Sequence, residues 1–284
     1  MKVLLCPSVS RDRGFAVTGR VDRMLRESGA ETVICPLFDG GETPLPEGFE
    51  YSTIQEEAAD ADMAVAFGGD GTILRTARAA AEYKLPIIAV NMGNIGFMAE
   101  LEPDGLDSLK QVIRGEYRVV SRMMLDVELV RSGKTVYSDF ALNDIVIKGM
   151  TKIIGLEIFG DEYAISAFSG DGVVIATPTG STAYSMAAGG PIVEPDASNI
   201  IITPICPHAL AAKSFVLAPE RVVRVRVGGK KDNPSGMTVD GGETTALMSG
   251  DEIIIKMSPR QTRFIQISNK SFYRKVYEKL GEER

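Results

Sequence analysis

The chain has 284 residues, 44% of them hydrophobic and 24% charged, with a formal net charge of −7. That length suits two domains, and the balance is that of a soluble globular protein. The acidic excess argues against a nucleic-acid-binding surface, though not against a small anionic ligand, which a few local cations or a metal can hold.

The three cysteines, Cys6, Cys35 and Cys206, form no C-x-x-C pair, and an odd count argues against a disulfide framework. Cys6 and Cys35 lie in apolar runs and read as buried thiols of a reducing, cytoplasmic setting. No apolar run reaches the length of a transmembrane helix, so no membrane partner is expected. The opening MKVLLCPSVSRDRG is too short in its apolar stretch for a secretory signal.

In chain order, KVLLCP predicts a buried strand and RGFAVTGRVDRMLRESGA a helix stopped by Gly29. ETVICPL is a second strand and the Gly/Pro-rich FDGGETPLPEGFEY a loop. STIQEEAADA is a short helix with Ser52 as the candidate cap. DMAVAF is a third strand, TILRTARAAAEYKL a helix, PIIAVNM a fourth strand and GLDSLKQVIRGE a further helix. This alternation implies a parallel sheet with helices packed on it.

Near residue 118 the pattern changes. YRVVSRMMLDVELVRSGKTVYSDFALNDIVIKG alternates in strand-like runs around a Ser-Gly-Lys hairpin turn. IIGLEIFGDEYAISAFSGDGVVIATPTG, RVVRVRVGGK, GDEIIIKMS and RFIQIS continue it. The tail SFYRKVYEKLGEER places Phe272, Val276 and Leu280 on one helical face. The fold class expected is α/β plus β. A Rossmann-like domain over residues 1–118 and 266–284 would join a β-rich, sandwich-like domain over 119–265, with the last helix packed back on the first. The cleft between the two is the expected ligand site.

Gly68-Gly69-Asp70-Gly71-Thr72 follows the carboxyl end of a predicted parallel strand, where open α/β sheets bind ligands. Glycines there let backbone approach a ligand, and Thr72 can cap a helix whose N-terminus favours phosphate. A plain strand-to-helix turn fits equally well. If the turn is a site, Asp70 either accepts a proton from an attacking hydroxyl or holds Mg²⁺, and both roles point to phosphoryl transfer.

Asn143-Asp144 opens an apolar run and supplies a donor and several acceptors, suited to ribose hydroxyls or an adenine edge; an Asx turn is the simpler alternative. In SGDGVVIATPTGSTAYSMAAGGPIV, residues 169–193, Thr177, Thr179, Ser181 and Thr182 alternate with Gly and Ala before Tyr184, which can stack on a base. Close packing alone explains that hydroxyl density poorly.

Together these segments resemble the NAD kinase family over nearly the whole chain. The resemblance rests on GGDGT at 68–72, NMGNIGF at 91–97, Asn143-Asp144, DGVVIATPTGSTAYSMAAGGPIV at 171–193, TPICPHAL at 203–210 and VDG at 239–241. It implies transfer of the γ-phosphoryl of ATP, or of polyphosphate, to the adenosine-ribose 2′-hydroxyl of NAD. It also implies Mg²⁺ or another divalent cation, and a homodimer or homotetramer whose subunits share the NAD site.

Carried over by position, Asp70 resembles the proton acceptor. Gly68, Gly69, Gly71, Thr72 and Phe97 belong with the nucleotide-contacting set around the turn; Arg75, on the helix that follows, either reaches a phosphate or is a solvated helix charge, and the second reading fits at least as well. Asn143 and Asp144 resemble the adenosine-binding pair, with Asp144 where many relatives carry Glu. Asp171 is similar to an acidic residue near the nicotinamide end. Thr182, Ala183, Tyr184, Ser185 and Ala187 fall on the adenine loop. No residue is assigned as a dedicated metal ligand. A lipid or sugar-phosphate kinase of the same broad fold, and a catalytically silent NAD(P)-binding sensor, are the competing functions. His208, the only histidine, is given no catalytic role.

Overall fold

The computed structural model describes residues 1–38, 44–93, 96–209, 212–228, 233–268 and 271–281. Parts of the loop read at 38–51, of NMGNIGF, of TPICPHAL, of RVVRVRVGGK and of the tail therefore lie outside the described residues. The chain divides into two compact units, Met1–Ser121 with Thr262–Arg284, and Arg122–Gln261.

The first unit is α/β. Strands β1 (Lys2–Pro7), β2 (Glu31–Ile34), β3 (Met63–Gly68) and β4 (Pro86–Asn91) alternate with helices α1 (Ala16–Glu27), α2 (Ile54–Glu57) and α3 (Asp70–Ala81), and α4 (Leu109–Ile113) follows. The strands pair in parallel in the order β2-β1-β3-β4. β3 is buried along its whole length, as expected of a parallel strand covered on both faces. α1 turns Val21 and Leu25 inward, and the buried carboxylate of Asp12 caps it by accepting the Val17 and Thr18 amides at 3.0 and 2.8 Å. Gly29, at φ +86°, follows the last turn of α1, where glycine stops a helix without steric cost.

Two local expectations are corrected. Thr53 rather than Ser52 caps α2, its side chain accepting the Glu56 amide, while the Ser52 hydroxyl bonds the Glu57 carboxylate at 2.7 Å. α3 begins at Asp70, capped by Gly69, so Thr72 is already inside the helix and caps nothing.

The second unit is β-rich. After β5 (Arg118–Arg131) come β6 (Lys134–Ala141), β7 (Asp144–Gly149), β8 (Ile154–Gly160), β9 (Tyr163–Gly170) and β10 (Gly172–Ala176). The short helix α5 (Tyr184–Ala187) precedes β11 (Ile200–Ile205), β12 (Phe215–Leu217), β13 (Val223–Gly228), β14 (Ser235–Val239), β15 (Thr245–Leu247) and β16 (Glu252–Gln266). The β5–β6 hairpin turns on Ser132 and Gly133, both at positive φ, the mirror-image turn that matches strand twist.

Six strands form one antiparallel sheet in the order β12-β11-β10-β7-β14-β15. β13 pairs with β8 and with residues 252–255 of β16 in a second set. Ile145, Ile147, Val173 and Ile175 from the first sheet share one apolar cluster with Ile158, Val225 and Ile253 from the second, the packing of a sandwich. The intervening Val146, Val174 and Ala176 face the other way, against Ala188 and Val193, so the central strands are buried on both sides.

Residues 263–264 of β16 pair in parallel with 86–87 of β4 in the first unit. The last helix, α6 (Phe272–Leu280), is capped by Ser271 and belongs to that unit, where Lys275 Nζ donates to the Ala99 carbonyl at 2.7 Å. Phe272 and Val276 are half-buried, but Leu280 is exposed, so the expected apolar face is only partly covered.

Candidate functional site

In the first unit the site is built where β3 runs into α3. Gly68 ends the strand, and a Cβ there would stand 2.5 Å from the Thr72 side chain, so this turn excludes any larger residue. Thr72 is buried against it. Asp70 takes the first helical position, half-buried, where the positive end of the helix dipole favours a carboxylate or a phosphate. Its Oδ1 accepts the Met98 amide at 3.2 Å.

Met98 belongs to the loop after β4, which is fixed from behind. The buried Asn91 side chain donates to the two Glu102 carboxylate oxygens at 3.2 and 3.1 Å and accepts the Gly93 amide at 2.9 Å. Phe97 is half-buried on that loop, while Asn94 and Ile95 lie outside the described residues. Gly71 is exposed beside Asp70, and Arg75 lies on the exposed side of α3 one turn on. The turn therefore brings together a held carboxylate and first-turn amides, with Arg75 farther along the same helix.

In the second unit three neighbouring strand ends converge: the start of β7, and the ends of β10 and β14. Asn143 and Asp144 lie there. Their carbonyl side is held by Thr177, whose amide donates to the Asn143 carbonyl at 2.9 Å and whose hydroxyl donates to the Leu142 carbonyl at 2.5 Å. Gly180 packs directly on this backbone, since a Cβ there would stand 2.0 Å from the Asn143 oxygen. Their amide side is held by Asp240, a residue to which the motif reading gave no role. Its carboxylate accepts the amides of Leu142, Asn143 and Asp144 at 2.8, 2.7 and 3.0 Å.

Against this satisfied backbone, two side-chain atoms stand out. Asn143 Oδ1 and Thr179 Oγ1 are buried and have no hydrogen-bond partner, the only such side-chain atoms among the described residues. Each unmet group costs about 1–3 kcal/mol, so a polar ligand that pairs with them is favoured. Burial, aided by the neighbouring Asp240 charge, pushes the Asp144 carboxyl up to about 7.

The hydroxyl-rich segment divides by what each group faces. Ser181 bonds the Pro178 and Val193 carbonyls at 2.7 and 3.1 Å, and Thr182 donates to the Thr179 carbonyl at 3.3 Å. Ser185 is fully buried, with its hydroxyl paired to Thr203 at 2.9 Å. Much of the hydroxyl density thus folds the loop. Thr182 and Ala183 stay half-buried, Ala187 is exposed, and Tyr184 is 40% exposed. Tyr184 and Asp171 line one cavity of about 480 Å³ with Lys148 and Lys152, which give it cationic character. His208 is exposed, and its backbone amide bonds the Ser169 carbonyl.

No group of three or more His, Cys, Asp or Glu that could hold a metal occurs among the described residues. Asp70, with one oxygen engaged by Met98, offers a single carboxylate at the turn. That donor set fits a cation such as Mg²⁺, which is commonly held by one or two carboxylates together with substrate phosphates.

Two family models match the chain: the ATP-NAD kinase N-terminal domain over residues 19–117 and the ATP-NAD kinase C-terminal domain over residues 142–267. The NAD kinase of Carboxydothermus hydrogenoformans is 42% identical over 236 residues, covering 82% of this chain and 84% of the relative. That of Caldanaerobacter subterraneus subsp. tengcongensis is 36% identical over 284 residues, 99% of each chain. Among solved structures, yeast NADH kinase complexed with NADH aligns with a TM-score of 0.86 at 24% identity, over 100% of this chain and 88% of that one. An Archaeoglobus fulgidus NAD kinase in complex with ATP aligns at 0.73, also at 24% identity, over 99% and 98%.

Proposed function

The chain belongs to the NAD kinase family, and on that premise we propose how its own residues carry the reaction. It is a phosphotransferase that moves the γ-phosphoryl of ATP to the 2′-hydroxyl of the adenosine ribose of NAD, giving NADP and ADP. The names of its relatives favour this reading over a lipid or sugar-phosphate kinase and over a silent sensor.

Asp70 accepts the proton of the 2′-hydroxyl as that oxygen bonds the γ-phosphorus and the bond from the γ-phosphorus to the bridging oxygen of ADP breaks. The observation that carries this role is a carboxylate at a helix N-terminus, steadied by the Met98 amide, beside Gly71, whose missing side chain would face open space. Gly68, Gly69, Gly71 and Thr72 shape that turn, and Arg75 and Phe97 complete the donor side. Bound with the donor phosphates, a divalent cation would neutralise charge on the transferred group.

Asn143 and Asp144 receive the adenosine part of NAD, which supplies the partners that Asn143 Oδ1 and Thr179 Oγ1 lack. Tyr184, with Thr182, Ala183 and Ala187, borders the base. Asp171 lies toward the nicotinamide end, and the nearby lysines suit a pyrophosphate. Use of polyphosphate as an alternative donor, assembly as a homodimer or homotetramer that shares the NAD site, and a cytoplasmic setting belong to the same reading and rest on family resemblance. The test of the activity is NADP formation from NAD with Mg-ATP, repeated with diacylglycerol as acceptor; phosphorylation of the lipid without NADP would refute it.

A further inference from the structure

Asp240 lies 97 residues from Asn143 in sequence, and its carboxylate fills a concavity made by three successive backbone amides, those of Leu142, Asn143 and Asp144. Such a run of N–H groups is an anion-binding nest, here occupied by the protein's own side chain. Asp240 adopts a left-handed backbone, φ 51°, and its amide donates back to the Asp144 carbonyl at 2.9 Å. Aspartate tolerates that conformation better than most residues, and the conformation is what lets one residue hold the segment through both backbone and side chain. With Thr177 fixing the carbonyl side, peptide groups 142–144 are pinned on both edges. The Asn143 side-chain oxygen is nonetheless withheld from every protein donor. A segment whose backbone is this fully engaged, around a half-buried side chain whose buried oxygen is left unmatched, is built to present that side chain.

We propose that Asp240 is the positioning residue of the nucleotide half of the site: its carboxylate, seated in the 142–144 nest, sets the Asn143 side chain in the orientation that receives the adenosine of NAD. This rests on the assignment of Asn143 to adenosine given above. The Asp240 carboxylate is taken up by three backbone amides, so its effect passes through the segment that carries Asn143, and removing it should matter only while Asn143 is present.

The experiment measures NAD affinity by calorimetry and KM for ATP by turnover in wild type, Asp240→Asn, Asn143→Ala and the double variant. In Asp240→Asn one oxygen becomes an NH₂ that meets amide N–H groups and cannot accept from them. The expected result is NAD binding about 3- to 10-fold weaker in Asp240→Asn and no weaker than in Asn143→Ala, KM for ATP within about twofold, and a double variant no weaker than Asn143→Ala, the non-additivity of two residues acting as one. Additive losses, unchanged NAD affinity in Asp240→Asn, an equal rise in KM for ATP or loss of the cooperative thermal transition would each overturn the proposal. If Asn143→Ala itself binds NAD as wild type does, the adenosine assignment falls, and the proposal with it. If Asn143→Ala weakens binding and Asp240→Asn does not, only the proposal falls.

Discussion

The amide of Met98 donates to Oδ1 of Asp70 at 3.2 Å, and this single bond ties the proposed proton acceptor to the loop that follows β4. One Asp70 oxygen is thereby committed, which sets how the carboxylate turns toward a hydroxyl. The loop is in turn fixed by Asn91, between Glu102 and the Gly93 amide.

Asn91→Ala removes all three of those bonds from a buried position. It leaves the Gly93 amide without its acceptor, so we expect a loss of about 1–3 kcal/mol of stability. Turnover should fall as well, because Met98 is no longer held against Asp70. Thermal unfolding and kcat check this together; a destabilised variant with wild-type kcat would show that the loop does not position Asp70.

Asn143→Ala should separate binding from stability. The Asn143 oxygen is buried without a partner, so its removal takes away an unmet polar group. We expect NAD affinity to fall about 3- to 10-fold, while Tm in the absence of nucleotide holds or rises. Calorimetric titration and a melting curve on the same sample test both halves.

Asp144 gives a pH signature. Its carboxyl is raised from 3.8 to about 7 by burial and by the Asp240 charge. A group whose folded pKa lies above its unfolded value stabilises the fold below the unfolded pKa, and that contribution is lost as pH rises through the folded pKa. From pH 3.8 to about 7 wild type should therefore lose stability on the order of a few kcal/mol from this group. Asp144→Asn, which cannot ionise, should lack that loss, so its Tm should gain on wild type as pH rises across the window. Parallel Tm profiles would contradict the assignment.

Much of the fold was legible because its signals are local. The continuous apolar runs KVLLCP and DMAVAF read as parallel strands and are β1 and β3, since burial on both faces leaves no alternation. Ser-Gly-Lys at 132–134 reads as a hairpin turn because Gly133 signals a positive φ; that Ser132 shares it is seen only in the structure. The glycine-aspartate turn stood out for a similar reason: only a glycine fits against Thr72 at position 68.

What the sequence hid is what depends on facing. Thr177, Ser181 and Ser185 look like ligand-binding hydroxyls in a string of letters, but they bond Leu142, Pro178 and Thr203. Thr72 looked like a cap until Gly69 took that place. Asp240 was invisible as a partner of Asn143 because only the pairing of β14 with β7 brings them together; its one local trace is an aspartate before two glycines at a strand end.

The most direct test of the account is the kcat of Asp70→Asn for NADP formation from NAD and Mg-ATP, measured beside its KM for NAD. Asn fills the same space and keeps an oxygen for the Met98 amide but cannot take the proton. Loss of the proton acceptor should lower kcat about 10²–10⁴-fold with KM for NAD within a few-fold of wild type. Turnover at the wild-type rate would contradict it.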